Sequence, residues 1–272
     1  MVKKVKLHHI SLEVTSLCNL NCRYCYNIWK APGTKGFEQF NSYKQARKAL
    51  KKIFKIADVQ HVTFTGGEPL LAERFAELVL FARMKKKSVT VISNGSGVKK
   101  EDYKQLIDLG VGLFELPVHS HTPEAHDYLA NINGAWQKSV DTIKYLREQN
   151  ARTVAVIVIT KANFDHIEKT LKFIASLDIK NVMLNRFNIG GKGIEENDNL
   201  KLSKEEVNRA FKKASEKGKE LKLSMTSNVC TPLCLVNPKD FPNIIFSTCS
   251  PEVTRRPLTL DIFGDLRFCN HS

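Results

Sequence analysis

Thr15-Ser-Leu-Cys-Asn-Leu-Asn-Cys-Arg-Tyr-Cys-Tyr-Asn27 places Cys18, Cys22 and Cys25 in the pattern Cys-x3-Cys-x2-Cys. Three thiols this close in sequence can converge on one soft metal centre, and thiolates favour iron–sulfur clusters, zinc or Cu(I). A [4Fe–4S] cluster is ordinarily held by four cysteines. A local triplet therefore leaves one iron open to a substrate or cofactor, the same logic that separates open catalytic zinc sites from closed structural ones. Taken alone, the triplet also fits a zinc knuckle or three unrelated buried thiols.

Upstream of the triplet, Val5, Leu7, Ile10, Leu12 and Val14 mark a first strand that runs into the cysteine loop. Residues 28–40 read as a loop from their Pro and Gly content. A helix follows from Ser42, with Tyr43, Ala46, Leu50, Ile53 and Ala57 as its apolar stripe. His61–Thr65 is a second strand, residues 70–86 a helix and Ser88–Ser93 a third strand. A helix over 99–109, a fourth strand through Val111, Leu113, Leu116 and Val118, and a helical region over 122–149 come next. Val154–Ile159 is an unbroken apolar run, as expected of a parallel strand buried on both faces. A helix with Phe164, Ile167, Leu171 and Ile174 inward precedes a sixth strand, Asn181–Phe187. Ser203 with Glu206 reads as a capping box that opens another helix. Strands alternating with helices predict an α/β fold with a parallel sheet. In parallel β/α barrels the functional residues sit at the C-terminal ends of the strands. Cys18–Cys25, Gly66–Glu68, Ser93–Asn94, His119–Ser120 and Asn185–Arg186 all fall at such positions.

The triplet, with Tyr24 just before its third cysteine, resembles the radical S-adenosylmethionine (SAM) superfamily. Thr65-Gly-Gly-Glu-Pro69 after the second strand and Ser93-Asn94-Gly95 after the third are similar to that family's further motifs, in the same order. The resemblance implies a partial (β/α)6 barrel resembling a TIM barrel, a [4Fe–4S] cluster on Cys18, Cys22 and Cys25, and reductive cleavage of SAM to a 5′-deoxyadenosyl radical. It places Tyr24 near the adenine and gives Glu68 the methionine ammonium. Gly66 and Gly67, lacking Cβ atoms, would let the backbone approach the ligand closely, and Pro69 would fix the exit of the turn. Ser93 and Asn94 would meet ribose hydroxyls. Ser120, His119, Asn185 and Arg186 are candidates for the SAM carboxylate or the adenine edge. Relatives carry a serine in the fourth strand where Pro117 stands here, which puts that strand's carboxylate contact in doubt. His8 and His9 read as strand-surface residues.

From Ser224 the pattern changes, so residues 1–223 are expected to form the barrel and 224–272 an extension. Cys249, Gly264 and Cys269 resemble the opening of a SPASM or twitch extension, which binds auxiliary [4Fe–4S] clusters. Ile262–Phe268 reads as a hairpin about Gly264-Asp265. In one reading Cys249 and Cys269 hold half of a second [4Fe–4S] cluster. In another Cys230, Cys234, Cys249 and Cys269 close a site, which structural zinc would fit equally well. Ordinary thiols are the third. The chain stops soon after Cys269, and a truncated extension is expected.

The formal net charge of +14 suits nucleic acid, an anionic membrane or an acidic substrate. Lys44, Arg47, Lys48, Lys51, Lys52 and Lys55 line one face of the first helix without interleaved aromatics, so they read as a solvated surface rather than a nucleic-acid footprint. No apolar signal region opens the chain and no stretch approaches a membrane span. Seven cysteines impose no disulfide framework, which points to a reducing cytoplasm. The resemblance implies a peptide or protein substrate and an external reductant of flavodoxin or ferredoxin type. A small-molecule or cofactor-precursor substrate is the alternative within the family. A non-catalytic metal-binding module that holds RNA is the alternative of another class.

Overall fold

The computed structural model describes residues 4–34, 42–247, 252 and 258–269. In chain order the strands and α-helices are β1 (Val5–Glu13), α1 (Tyr43–Ile56), β2 (Ala57–Thr65), α2 (Phe75–Met84), β3 (Ser88–Ile92), α3 (Lys100–Asp108) and β4 (Leu113–Pro117). They continue as α4 (Pro123–Ala130), α5 (Ala135–Glu148), β5 (Thr153–Ile159), α6 (Ile167–Ser176), β6 (Asn181–Arg186), α7 (Asn197–Leu200) and α8 (Lys204–Glu220). Four short strands close the chain: β7 (Ser224–Ser227), β8 (Ile244–Phe246), β9 (Leu258–Leu260) and β10 (Leu266–Arg267).

Every pairing described within the two units below is parallel except the β9–β10 hairpin, so the chain has the expected α/β class. Several boundaries differ from the sequence reading for local reasons. β2 begins four residues early, at Ala57, directly after α1. The helix expected over 70–86 is a 3-10 turn, Pro69–Leu71, followed by α2, because Arg74 takes a left-handed φ of 53° before α2. The region 122–149 is two helices. Asn131 and Gly134 turn left-handed (φ 56° and 81°), and the Asp127 carboxylate accepts the Gly134 and Trp136 N–H groups at 2.6 and 2.7 Å. The apolar run of β5 is buried through Ala155, Ile157 and Ile159, whereas Val154, Val156 and Val158 are half-buried. The hairpin begins at Leu258 rather than Ile262. Asp261 Oδ1 accepts the N–H groups of Phe263 and Asp265, each at 2.9 Å, which folds Ile262 and Phe263 into the turn.

The chain divides into two units: residues 1–19, 34–115 and 250–272, and residues 20–33 and 116–249. Residues 224–247 supply β7 and β8 to the second unit, and 258–269 supply the hairpin to the first.

In the first unit the strand order is β10-β9-β1-β2-β3-β4. Alternation along parallel strands gives this sheet two unlike faces. Ile10, Leu12, Val62, Phe64, Val89, Val91 and Phe114 are at most 1% exposed on one face. Phe64 stands edge-on to Phe75 of α2, and Tyr103 of α3 does the same to Phe114. The register sets Ser11 beside Thr63 and Thr63 beside Thr90 on the opposite, polar face. Glu13 pairs with Thr65, and Ile92 with Glu115, on that same face. Glu13 forms a buried ion pair with Arg267 of β10. α1 turns Ala46, Ala49, Leu50 and Ile53 inward, and its six basic residues are exposed as expected.

Glu115 carries a consequence for pH. Burial pushes its carboxyl up to about 7. A group raised in the folded state contributes stability in full below its unfolded pKa and loses it as pH rises through the folded value. Glu115→Gln removes this titration while keeping the shape. Urea denaturation at pH 5 and pH 8 is therefore expected to show the variant gaining on the wild type as pH rises, by up to about 3 kcal/mol. Comparing the variant with the wild type at each pH subtracts the opposite trend of His9 and His126, both lowered to about 4 by burial.

In the second unit β5, β6, β7 and β8 pair in that order, all parallel. Just past β4, the Val118 N–H donates to the Val156 carbonyl at 2.9 Å. Ser203 and Glu206 form the expected capping box at the start of α8.

Candidate functional site

The cysteine loop is divided between the units, Cys18 and Asn19 lying in the first and Leu20 onward in the second.

In the first unit, the turn after β2 grips the start of the loop. The Gly67 and Glu68 N–H groups donate to the Thr15 and Leu17 carbonyls at 2.8 and 2.7 Å. A Cβ on Gly67 would stand 2.0 Å from the Leu17 oxygen, and one on Gly66 (φ 130°) 2.5 Å from the Thr15 oxygen. The missing side chains thus serve an approach of two backbone segments of this chain. Glu68 is fully buried. Its Oε2 accepts the Asn94 N–H at 2.7 Å and its Oε1 the Leu70 N–H at 3.3 Å, so its carboxylate ties the ends of β2 and β3 together. Burial raises its pKa to about 7 against the lowering effect of those N–H groups. Pro69 is the first residue of the short turn that Glu68 caps.

Ser93 is buried too. Its Oγ lies 2.7 Å from the Tyr103 hydroxyl and accepts the Gly95 N–H at 3.1 Å. Asn94 faces the cysteine loop. Its Nδ2 donates to Asn19 Oδ1 at 2.9 Å and to the Cys18 sulfur at 3.8 Å, and its Oδ1 accepts the Ser96 N–H at 2.7 Å. Asn19 in turn donates to the Ser96 carbonyl. Asn19 and Tyr103 were absent from the sequence reading. Asn19 sits 75 positions from its partner, and no short-range pattern signals such a pair.

In the second unit the other half of the loop is held. The Cys25 N–H donates to the Cys22 carbonyl at 3.2 Å, and the Gly193 N–H donates to the Cys25 carbonyl at 3.3 Å. Gly191 (φ 51°) leaves room for this, since a Cβ there would lie 2.5 Å from the Asn27 oxygen. Neither glycine was singled out from sequence. Arg23 pairs with Glu196 at 2.6 Å and lies over the Tyr128 ring at 4.5 Å. Tyr24 packs beside Leu129, Phe187 and Leu200. Its hydroxyl meets His119 Nε2 at 2.7 Å, with the two rings edge to face at 4.6 Å.

The other candidates of this unit are engaged with the protein. The Ser120 Oγ accepts the Thr122 N–H at 3.1 Å, and its carbonyl accepts Trp136 Nε1 at 3.0 Å. Asn185 Oδ1 accepts the N–H groups of Asn228 and Val229 at 2.8 and 3.2 Å. Arg186 donates to the Phe187 and Cys230 carbonyls at 3.1 and 2.9 Å. Asn185 and Arg186 thereby fasten the end of β6 to the segment after β7. His8 is exposed as expected, while His9 is half-buried on the polar face, 2.8 Å from Thr63 Oγ1.

Of the C-terminal cysteines, Cys230 and Cys234 are exposed in the second unit and Cys269 is half-buried in the first. Cys249 lies outside the described residues. Among the described residues, no three His, Cys, Asp or Glu side chains are gathered as a metal cage, and no helix is long and apolar enough to cross a membrane.

The donor set of the loop nonetheless fits an iron–sulfur cluster. Cys18, Cys22 and Cys25 are partly exposed thiols outside any disulfide, and an amide N–H is directed at one of the sulfurs. Hydrogen bonds to sulfur are among the means by which proteins tune such clusters. Ligands carried on a loop close around a metal as it binds, because binding and local ordering are coupled.

The family model described as "Radical SAM superfamily" matches residues 12–174. The chain is 30% identical over 162 residues to the sporulation killing factor maturation protein SkfB of Bacillus subtilis, covering 60% of this chain and 38% of SkfB. It is 24% identical over 168 residues to an AdoMet-dependent heme synthase of Oleidesulfovibrio alaskensis, covering 62% of this chain and 42% of that protein. The crystal structure of Streptococcus suis SuiB bound to the precursor peptide SuiA superposes with a TM-score of 0.75 at 17% identity, over 97% of this chain and 59% of SuiB. That likeness shows the fold. The chain spans about two fifths of the length of these two curated relatives.

Proposed function

The chain belongs to the radical SAM superfamily, and on that premise we propose that it uses a [4Fe–4S] cluster and SAM to remove a hydrogen atom from a peptide or protein substrate. Cys18, Cys22 and Cys25 would hold the cluster. When bound, the cluster and SAM supply reductive cleavage to methionine and a 5′-deoxyadenosyl radical, the electron coming from an external reductant of flavodoxin or ferredoxin type. The chain's own residues position and shield. The Gly66–Gly67 turn fixes the path of the loop into Cys18, and the Asn94 amide stabilises that sulfur as a thiolate. Tyr24, held in an apolar nest, offers its ring edge to the adenine. The polar face with Ser11, Thr63, Thr90 and Glu115 offers hydrogen-bonding groups to a polar chain. A net charge of +14 favours an acidic peptide by long-range steering. Residues 224–272, with Cys230, Cys234, Cys249 and Cys269, would form the auxiliary extension, with a second [4Fe–4S] cluster as its cargo.

One observation carries this reading: two motifs far apart in sequence meet the cysteine loop, with Gly67 and Glu68 on its backbone and Asn94 on the Cys18 sulfur. The likeness to a heme synthase favours a small-molecule substrate as the second reading. Protein reconstituted anaerobically with iron and sulfide, given SAM and dithionite, separates the two. Release of 5′-deoxyadenosine that rises when a short peptide encoded beside the gene is added supports the first. A rise with a tetrapyrrole precursor and not with peptide supports the second. No SAM cleavage with either defeats both.

A further inference from the structure

We propose that His119 is a positioning residue for the cysteine loop: its Nε2–H holds the Tyr24 hydroxyl and so sets the aromatic ring that separates the second and third cysteines. This rests on the family reading only for its consequence on SAM, since the geometry belongs to the chain itself.

The Val158 backbone N–H donates to His119 Nδ1 at 3.2 Å, so that nitrogen must present a lone pair. A neutral imidazole then carries its proton on Nε2, the atom 2.7 Å from the Tyr24 oxygen. Tyr24 therefore accepts from His119. The ring is fully enclosed, which disfavours the imidazolium, and an imidazolium would also set two N–H groups against each other at Val158. The imidazole is itself fixed on several sides. Its backbone N–H donates to His126 Nδ1 at 3.2 Å, and its carbonyl accepts Asn163 Nδ2 at 2.9 Å. Asn163 Nδ2 also donates to the Val158 carbonyl at 2.8 Å, tying the start of the loop after β5 to the same residue whose N–H orients the imidazole. His126 stacks on His119 with ring centroids 5.2 Å apart.

His119, His126 and Asn163 thus form a mount within the second unit, and the Tyr24 hydroxyl of the cysteine loop is fastened to it. A phenol pinned at its oxygen and packed on its ring has little rotamer freedom left. The adenine-facing edge is then in place before any ligand arrives, and a preformed contact binds more tightly than one ordered on binding.

Two measurements test this. In metal-free protein, 15N-resolved spectra of the histidine rings are expected to show His119 protonated on Nε2 alone, and a ring protonated on Nδ1 overturns the proposal. In reconstituted protein compared at equal iron content, equilibrium dialysis with SAM is expected to give a Kd raised about tenfold by His119→Leu and similarly by Tyr24→Phe. The double variant should be no weaker than either single one, because both remove the same bond. His119→Gln, whose amide can donate from nearly the same place, should recover most of the affinity. Losses that add in the double variant, or a His119→Gln protein as weak as His119→Leu, overturn the proposal. If His119→Leu does not fold, Tyr24→Phe in the wild-type and His119→Gln backgrounds decides the same point. Wild-type protein that binds no SAM defeats the family reading instead, and the tautomer spectra still decide the placement of Tyr24.

Discussion

Gly67→Ala is expected to cost at least about 3 kcal/mol in urea denaturation of the metal-free protein and to leave reconstituted protein short of iron. The added Cβ would lie 2.0 Å from the Leu17 oxygen, 2.6 Å from its carbonyl carbon and 2.9 Å from the Ser16 oxygen. All three are backbone atoms, so no rotamer change can relieve the overlap and the two segments must part. Parting them breaks the Gly67–Thr15 and Glu68–Leu17 hydrogen bonds, each worth about 1 kcal/mol net and more if its groups stay buried. The segment that moves leads directly into Cys18. Gly66→Ala should behave alike, since it adds the strain of a φ of 130° to a contact of 2.5 Å with the Thr15 oxygen. Gly112→Ala is the control: its Cβ would meet only the Val89 oxygen, at 3.5 Å, and its stability should stay within about 1 kcal/mol of wild type. A Gly67→Ala protein of wild-type stability and full iron content would mean that the turn does not hold the loop.

Alanine at Cys18, Cys22 or Cys25 is expected to reduce 5′-deoxyadenosine formation to the level of a protein-free control. If these three thiolates hold the cluster, removing any one would leave it two bonds to the triplet, below the four that ordinarily hold it. The loss should appear first as iron content after anaerobic reconstitution, before any assay of turnover. Cys230→Ala and Cys234→Ala make the informative comparison, because those exposed thiols lie outside the triplet. They should keep SAM cleavage and, if the auxiliary extension binds a second cluster, lose only that iron. Undiminished SAM cleavage in the Cys22→Ala protein would remove the triplet from the chemistry.

The legible part of the fold was what repeats along the chain. The strand of β1, the stripe of α1 from Ala46 to Ile53 and the Ser203–Glu206 capping box are local patterns that the structure keeps, whereas Ala57, expected to end the α1 stripe, opens β2. Boundaries failed where a side chain competes with the backbone. Asp127 splits one expected helix into two, and Asp261 moves a hairpin by folding its own downstream N–H groups. β7 and β8 were missed because three- and four-residue strands carry too few alternating positions to rise above a loop.

For the site, the sequence by itself determined the family: three soft donors at close spacing, two glycines together and a Ser-Asn-Gly turn at strand ends, in an order that the family shares. Side-chain type and separation suffice for that, because ligand softness and backbone freedom are properties of single residues. Only the tertiary structure decided whom those residues touch. Glu68 and Ser93 face inward to backbone N–H groups and to Tyr103, Asn94 reaches Cys18 and Asn19, and His119 takes hold of Tyr24. Those partners lie from 10 to 95 positions apart, and pairings at such distances follow from strand order and register, which no local pattern records.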